Sequence, residues 1–361
     1  KDTHFGSKHK FTLIQSYKDF QNAIQVNEYE DLRSYINQQE ETGEPYLNSQ
    51  QPVMYAQTSG TTGEPKNIPI LDSSIKSYKH SQSLFSYTQY SFDIEVYSGK
   101  ILAIVSPDIE GKLSTGTPYG AISGLIYKSM PTLLRYSYLL PFEIFTVSDY
   151  DLKYYLICAF ALNSENITLI ATPNPSTILR LKDIIDTNFE NLLRDIESGN
   201  LSGMNVIDPE IRKRINQKFK PNQLRASQLR ELKKKRGSLI ISDIWPNLKL
   251  ISTWTSGNCS TLLPALKAQL SSKSFIGEVG YMSSEFRGTV NLDIRNETQV
   301  PTLNENFFEF VERDEWGSES PEFLMLHEIE LGKDYYIFVT TQNGLYRYFI
   351  NDIIQVTGKY H

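Results

Sequence analysis

The stretch TSGTTGEPK, Thr58 to Lys66, constrains the fold more than any other part of the chain. It packs four hydroxyls, two glycines and one lysine into nine positions, with strand-like PVMYAQ before it and strand-like NIPI after it. A Ser/Thr/Gly loop lets small donors approach an anion closely, and a lysine adds the countercharge. A phosphate suits such a loop. The plainer reading is a polar surface turn, since these residues favour loops anyway.

The flanks exclude three familiar nucleotide or hydrolase motifs. A Walker loop needs Gly-Lys-Ser/Thr leading straight into a helix. Here Lys66 follows Pro65 and leads into NIPI. A nucleophile elbow needs Gly-x-Ser-x-Gly with a histidine partner, and Ser59 has neither nearby. A dinucleotide fingerprint needs three spaced glycines at a strand-to-helix turn, which this stretch lacks. What remains is an anion-binding loop set between two strands.

Around that loop the chain reads as α/β for its first two thirds and as strand-rich thereafter, with the change placed between 1–245 and 246–361. Helical spacing predicts two short helices within residues 15–39, a helix capped by Asp72 that runs to about Gln89, a helix in DYDLKYYLICAFALN and another over 177–197. GKILAIVSP and NITLIATPNPS read as buried strands. Past Trp245 come LKLISTW, SFIGEVGYM, FFEFVE, DYYIFVTT, GLYRYFI and DIIQVTG, with Asn343-Gly344 as a hairpin signal. The basic tract RKRINQKFKPNQLRASQLRELKKKRG reads as a solvated helix pair, because no aromatics interleave with its charges.

Composition narrows the function. A formal net charge of −6 argues against general nucleic-acid binding. Cys158 and Cys259 are the only cysteines and the five histidines are scattered, so no disulfide framework or zinc site is implied. No apolar run is long enough to span a membrane and no signal peptide opens the sequence, which points to a soluble, cytoplasmic protein. Both ends read as cut.

Two further segments join the loop. YMSSE, Tyr281 to Glu285, offers an aromatic face, hydroxyls and a carboxylate; YRYFIND, Tyr346 to Asp352, offers an arginine and an aspartate on an alternating run. An aromatic plate, a magnesium-capable carboxylate and a diol-binding carboxylate are what ATP recognition needs beside a phosphate loop. Singly, the first segment reads better as a sheet-edge tyrosine with a solvated glutamate, and the second as a hairpin's exposed charge pair. Three in this order are hard to obtain by chance.

With these segments in place the sequence resembles the auxin-responsive acyl-acid amido synthetases of plants, and more closely their bacterial relatives, within the adenylate-forming superfamily of acyl-CoA ligases and luciferase. SPDIEGKLSTGTPYGAISGLIYKSMP, NPSTIL, WPNLKLISTW, GYMSSEFRG and TTQNGLYRYFINDIIQVTG all sit in family order, and the resemblance covers essentially the whole chain. It implies the large domain of an adenylate-forming enzyme: two α/β subdomains and a β-rich, barrel-like one, stopping at the hinge to a small C-terminal domain that is absent here. It also implies roles. Ser59, Gly60, Thr61, Thr62, Gly63 and Lys66 match the phosphate loop, and Tyr281 the tyrosine that stacks on adenine. Ser284 and Glu285 match the pair facing phosphate and Mg²⁺, and Asp352 the aspartate that grips the ribose. Lys66 and Glu285 are the catalytic candidates. Arg347 falls on the motif's arginine, either at the nucleotide or in a structural salt bridge. TSGNCS, Thr255 to Ser260, matches the turn over the adenine, and Gly120 stands where the plant enzymes carry an arginine near the acyl carboxylate.

The implied reaction joins ATP and a carboxylic acid into an acyl adenylate, then passes the acyl group to an amino acid or other amine. The rivals are an acyl-CoA ligase, which shares the first step, and a non-catalytic binding module on the same fold. Acid, amine and oligomeric state are not readable from the sequence.

Overall fold

The protein is described here from a computed structural model covering residues 1–58, 64–128, 130 and 132–359. Continuous apolar runs make a parallel sheet that is covered on both faces. Its strands are β3 (Lys100–Ala103), β6 (Ile167–Ala171), β7 (Leu250–Thr253) and β8 (Phe275–Glu278), hydrogen-bonded in the order β3-β6-β7-β8. The helix Tyr150–Asn163 packs here with every residue from Leu156 to Leu162 buried, and Trp245 donates its indole N–H to the Ala161 carbonyl at 3.0 Å. β7 and β8 lie past residue 245, so this sheet draws strands from both sides of the point where the sequence turns strand-rich.

A second sheet carries the loop. β1 (Met54–Thr58) and β2 (Lys66–Ile70) are antiparallel, with Thr58 opposite Lys66. β1 also pairs in parallel with β5 (Pro118–Gly120), and β5 with the short β4 (Gly111–Lys112). The strands of the final third form an antiparallel ribbon of β9 (Thr289–Asp293) and β10 (Thr298–Pro301), and a separate sheet in the order β11-β12-β13. These last are Asn306–Glu312, Asp334–Thr341 and Tyr348–Gln355. That sheet is open among the described residues. Among them the β11 edge meets one isolated bridge, Phe310 to Leu324.

Local chemistry adjusts other expectations. The stretch 177–197 is not one helix. It is Pro175–Thr187, capped by Asn174 with Pro175 in the first turn, and Phe189–Ser198, broken at Asn188. The helix Asp72–Phe92 outruns Gln89, and Asp72 lies inside its first turn. Leu71 holds the cap position and offers no side-chain acceptor, so Asp72 acts on the helix dipole instead. The two short helices are Tyr17–Ala23 and Tyr29–Thr42, and the basic tract is the pair Pro209–Lys218 and Gln223–Arg236. The β12–β13 connection spans residues 342–347, where Gly344 takes the left-handed φ of 88° that the turn requires. No helix among the described residues is long and apolar enough to cross a membrane.

One apolar cluster joins the pieces that matter for function. Tyr29, Tyr55, Ile68, Ile70, Phe286 and Tyr348 are buried together, with Tyr281 packed against them. Residues far apart in sequence, from the flanks of the loop to the last strand, share this core.

Candidate functional site

The segment after β8 folds back on itself in a tight turn. The Ser283 N–H donates to the Phe286 carbonyl at 2.9 Å, and Met282 bridges Arg287. Tyr281 opens the turn, half-buried, with its ring edge-on to Phe286 at 5.6 Å between centroids. A Cβ on Gly288 would stand 2.3 Å from Tyr281 Cδ1, so the ring lies across bare backbone that only glycine supplies. Ser284 is half-buried on the same turn, and Glu285 is buried. Burial raises the hydroxyl pKa of Tyr78, Tyr281 and Tyr348, and the Glu285 charge adds to each shift, after Glu305 at Tyr78 and after Asp352 at Tyr281.

Asp352 reaches this turn through a bulge. Tyr336 pairs with Ile353 and Phe338 with Phe349, so Ile350, Asn351 and Asp352 stand opposite Ile337 alone, with Asn351 at φ 62°. Extra residues in one strand re-aim its side chains. The Tyr281 O–H donates to Asp352 Oδ2 at 2.5 Å across 71 positions of sequence. Burial first, then Asp352, pushes the Tyr281 hydroxyl pKa well up, so the tyrosine is the donor. Asp352 itself is exposed, and among the described residues its other oxygen meets no donor.

The predicted residues Ser59, Gly60, Thr61, Thr62 and Gly63 lie outside the described residues. Their frame does not. Lys66 opens β2 with its ammonium 5.7 Å from the Tyr29 ring centre. Tyr29 donates to the Asn67 carbonyl at 3.3 Å and accepts from the Asn67 N–H at 2.7 Å. Arg33 stacks on Tyr29 and donates to the Pro65 carbonyl at 3.1 Å, with Glu30 gripping its other edge. The helix Tyr29–Thr42 thus buttresses the base of the loop. Nothing in the sequence marked Tyr29 or Arg33, because an arginine on a helix reads as surface.

Arg347 is structural. Its guanidinium is 4% exposed and binds Glu309, itself 1% exposed, through Nε at 2.9 and 3.1 Å. Nη1 donates to the carbonyls of Gln21 and Ile24 at 3.2 and 2.8 Å. Of the two readings of Arg347, these bonds match the structural salt bridge: Nε and Nη1 tie the helix Tyr17–Ala23 to the sheet, at a backbone φ of 43°. Tyr17 donates to the same Glu309 at 3.0 Å.

Two residues outside the motifs shape the site. Glu278, buried at the end of β8, accepts from the Thr255 N–H and hydroxyl at 2.7 and 2.8 Å and from the Gly280 N–H at 3.0 Å. It fastens the TSGNCS turn to the Tyr281 segment. Gly120 packs so closely that a Cβ would sit 2.3 Å from the Asp108 carbonyl oxygen, so this backbone excludes an arginine there. The Asp108 carboxylate pairs with Lys128 at 3.0 Å.

Such an arrangement can hold a planar base on Tyr281, offer a free carboxylate oxygen to a diol, and present a buried carboxylate beside both. The solved structure of AtGH3.15 acyl acid amido synthetase in complex with 2,4-DB has this fold. It superposes with a TM-score of 0.85 at 22% identity, over 99% of this chain and 64% of that one. A 2-hydroxyisobutyryl-CoA ligase in its postadenylation state aligns at a TM-score of 0.50 and 11% identity, over 99% and 59%. Both likenesses concern the fold. In sequence, the indole-3-acetic acid-amido synthetase GH3.3 of Arabidopsis thaliana is 27% identical over 376 residues, covering 100% of this chain and 63% of the relative. GH3.2 of the same plant is 29% identical over 364 residues, covering 94% and 66%. The chain thus spans less than two thirds of the length of these relatives. The model of the GH3 family N-terminal domain matches residues 1–275, and that of the GH3 family central domain matches residues 299–361. With both domains present in order along most of its length, the chain belongs to the GH3 family.

Proposed function

We propose that this chain carries the nucleotide site of an ATP-dependent acyl-acid amido synthetase. The observation that carries the reading is the Tyr281–Asp352 hydrogen bond. It sets an aromatic face beside a carboxylate with one oxygen to spare, the pair that an adenosine needs. The named activities of the GH3 relatives support it.

On this reading a small carboxylic acid attacks the α-phosphorus of ATP and pyrophosphate leaves. An amino acid or other amine then displaces AMP to give an amide. The protein contributes positioning and charge more than covalent chemistry. Tyr281 stacks the adenine, Asp352 accepts from a ribose hydroxyl, and Lys66 faces the leaving phosphates together with Ser59, Gly60, Thr61, Thr62 and Gly63. Ser284 serves the phosphates beside Glu285. Magnesium sites on nucleotides use one or two carboxylates and take their other ligands from phosphate and water. Glu285 fits that role: it is a buried carboxylate on the turn that begins with Tyr281. Bound there, Mg²⁺ would neutralise charge on the phosphates. The setting is a soluble cytoplasmic enzyme whose partners are small molecules, neither nucleic acid nor membrane.

Carboxylate-dependent exchange of labelled pyrophosphate into ATP tests the first step, and a panel of amino acids and coenzyme A tests the second. Amide product supports the proposal. Thioester product makes the chain an acyl-CoA ligase. ATP binding without consumption of ATP, whatever the acid, makes it a binding module.

A further inference from the structure

A small, partly open cavity lies against Glu285, where the helix Asp72–Phe92 meets the turn 281–287 and the β12–β13 connection. Its volume is about 20 Å³, and its lining includes Tyr78, Glu285, Arg287, Glu305, Thr341 and Asn343. Three observations make it a polar site with bonds to spare. Tyr78 is 8% exposed, and its hydroxyl meets no hydrogen-bond partner among the described residues. Arg287 is 4% exposed and forms no ion pair among them. Its own bonds are long: 3.3 Å to the Thr289 carbonyl, 3.3 Å to Gln82 Oε1 and 3.5 Å to the Val279 carbonyl. The Glu285 carboxylate, buried as it is, receives no direct hydrogen bond from a described residue, although its backbone N–H donates to Ser283 Oγ at 3.2 Å.

Buried polar groups in folded proteins are paired, with protein or with ordered water. A polar cavity needs roughly 10–15 Å³ of this kind of volume to hold one water, and that water needs two to four polar partners. This cavity offers both. Its electrostatics agree with a shared site. Glu305 lines the same cavity. Burial raises the Tyr78 pKa, with Glu305 and Glu285 adding to it and Arg287 subtracting.

We propose that one water, held in this cavity by Tyr78 and Arg287, fixes the Glu285 carboxylate in the orientation that receives a metal–nucleotide complex. Tyr78 is then a positioning residue, acting on the metal through Glu285 and never touching it. The inference rests on the proposed role of Glu285, and it adds a determinant that no motif contains. Groups that orient a metal ligand typically contribute about 10–100-fold to metal affinity.

The test is Tyr78→Phe, which keeps the buried ring and removes only the hydroxyl. Mn²⁺, read by its paramagnetic resonance, serves as the metal probe in the presence of ATP, and calorimetry reads AMP binding without metal. Mn²⁺ affinity should fall by about tenfold in the variant, while metal-free AMP affinity stays at the wild-type value. A merely structural role would weaken both together or neither. Unchanged Mn²⁺ affinity overturns the positioning role and leaves the nucleotide site standing. If wild-type protein binds AMP yet no Mn²⁺ with ATP, the reading of Glu285 fails and takes this inference with it. A crystal structure of the wild-type chain decides the matter even if the variant does not fold. A water on the Tyr78 hydroxyl is expected, and a direct protein partner for that hydroxyl, with no water in the cavity, refutes the proposal.

Discussion

Arg347 and Asp352 belong to one heptapeptide, YRYFIND, yet they meet opposite fates. Arg347 is buried on Glu309 and two carbonyls, and its one unbonded nitrogen, Nη2, belongs to a guanidinium centred 4.3 Å from the Phe323 ring. Asp352 is exposed, spends one oxygen on Tyr281 and keeps the other. The difference is one of access: Arg347 is sealed in the interior against Glu309, whereas Asp352 keeps a carboxylate oxygen at the surface, where a ligand can reach it. The bulge at Asn351 is what separates the two, by turning Asp352 toward Tyr281.

The largest effect that probes this contrast comes from Arg347→Met. It leaves Glu309 charged and unpaired at 1% exposure, a situation that costs about 3–5 kcal/mol. Urea unfolding should show that loss, with AMP affinity retained by whatever remains folded. A loss below about 1 kcal/mol, the scale of an exposed pair, would remove the distinction between the two residues. Asp352→Ala should do the reverse. Stability should fall only by the lost Tyr281 hydrogen bond, about 0.5–1.5 kcal/mol, while AMP binding weakens by about 1.5–3 kcal/mol for one charge-assisted bond. Undiminished AMP affinity in that variant would strip Asp352 of its role.

Tyr281→Phe sharpens the same comparison more gently. The ring remains to stack, but Asp352 loses the donor that holds it, so AMP affinity should drop by about 0.5–1.5 kcal/mol. In a double-mutant cycle with Asp352→Ala the two effects should overlap rather than add. The smallest effect is with pH. The Tyr281 pKa is raised in the folded state from its ordinary value of 10.0, chiefly by burial. The folded chain therefore keeps a proton that the unfolded chain releases near pH ~10. The stability due to this hydroxyl is intact below that pH and is lost as pH climbs toward the raised folded value. Calorimetry should find the ratio of wild-type to Tyr281→Phe AMP affinity constant between about pH 7 and pH 9. A ratio that changes within that window would mean the hydroxyl titrates there.

What the sequence revealed, and what it hid, follows the same physical line. Tyr281, Glu285 and Asp352 could be named from the sequence because nucleotide chemistry calls for those side-chain types, and the structure brings Tyr281 and Asp352 into contact. Arg347 was legible only as an alternative, since burial decides its use and Glu309 lies 38 residues away. Tyr29, Tyr78 and Glu278 carried no local signal: each acts through contacts that exist only after distant segments pack. The alternation of helix and strand was readable from periodicity. The membership of β7 and β8 in the parallel sheet was not, because LKLISTW pairs according to what lies beside it. Likewise the break at Asn188 interrupts a pattern whose periodicity runs through it.

The central claim is that the turn carrying Tyr281 and the bulge carrying Asp352 together form a nucleotide site. A crystal structure of the chain soaked with AMP tests it most directly. The predicted result has the adenine lying on the Tyr281 ring and a ribose hydroxyl donating to Asp352, with the Tyr281–Asp352 hydrogen bond kept. AMP bound elsewhere, or a structure in which Tyr281 and Asp352 face away from each other, would contradict it.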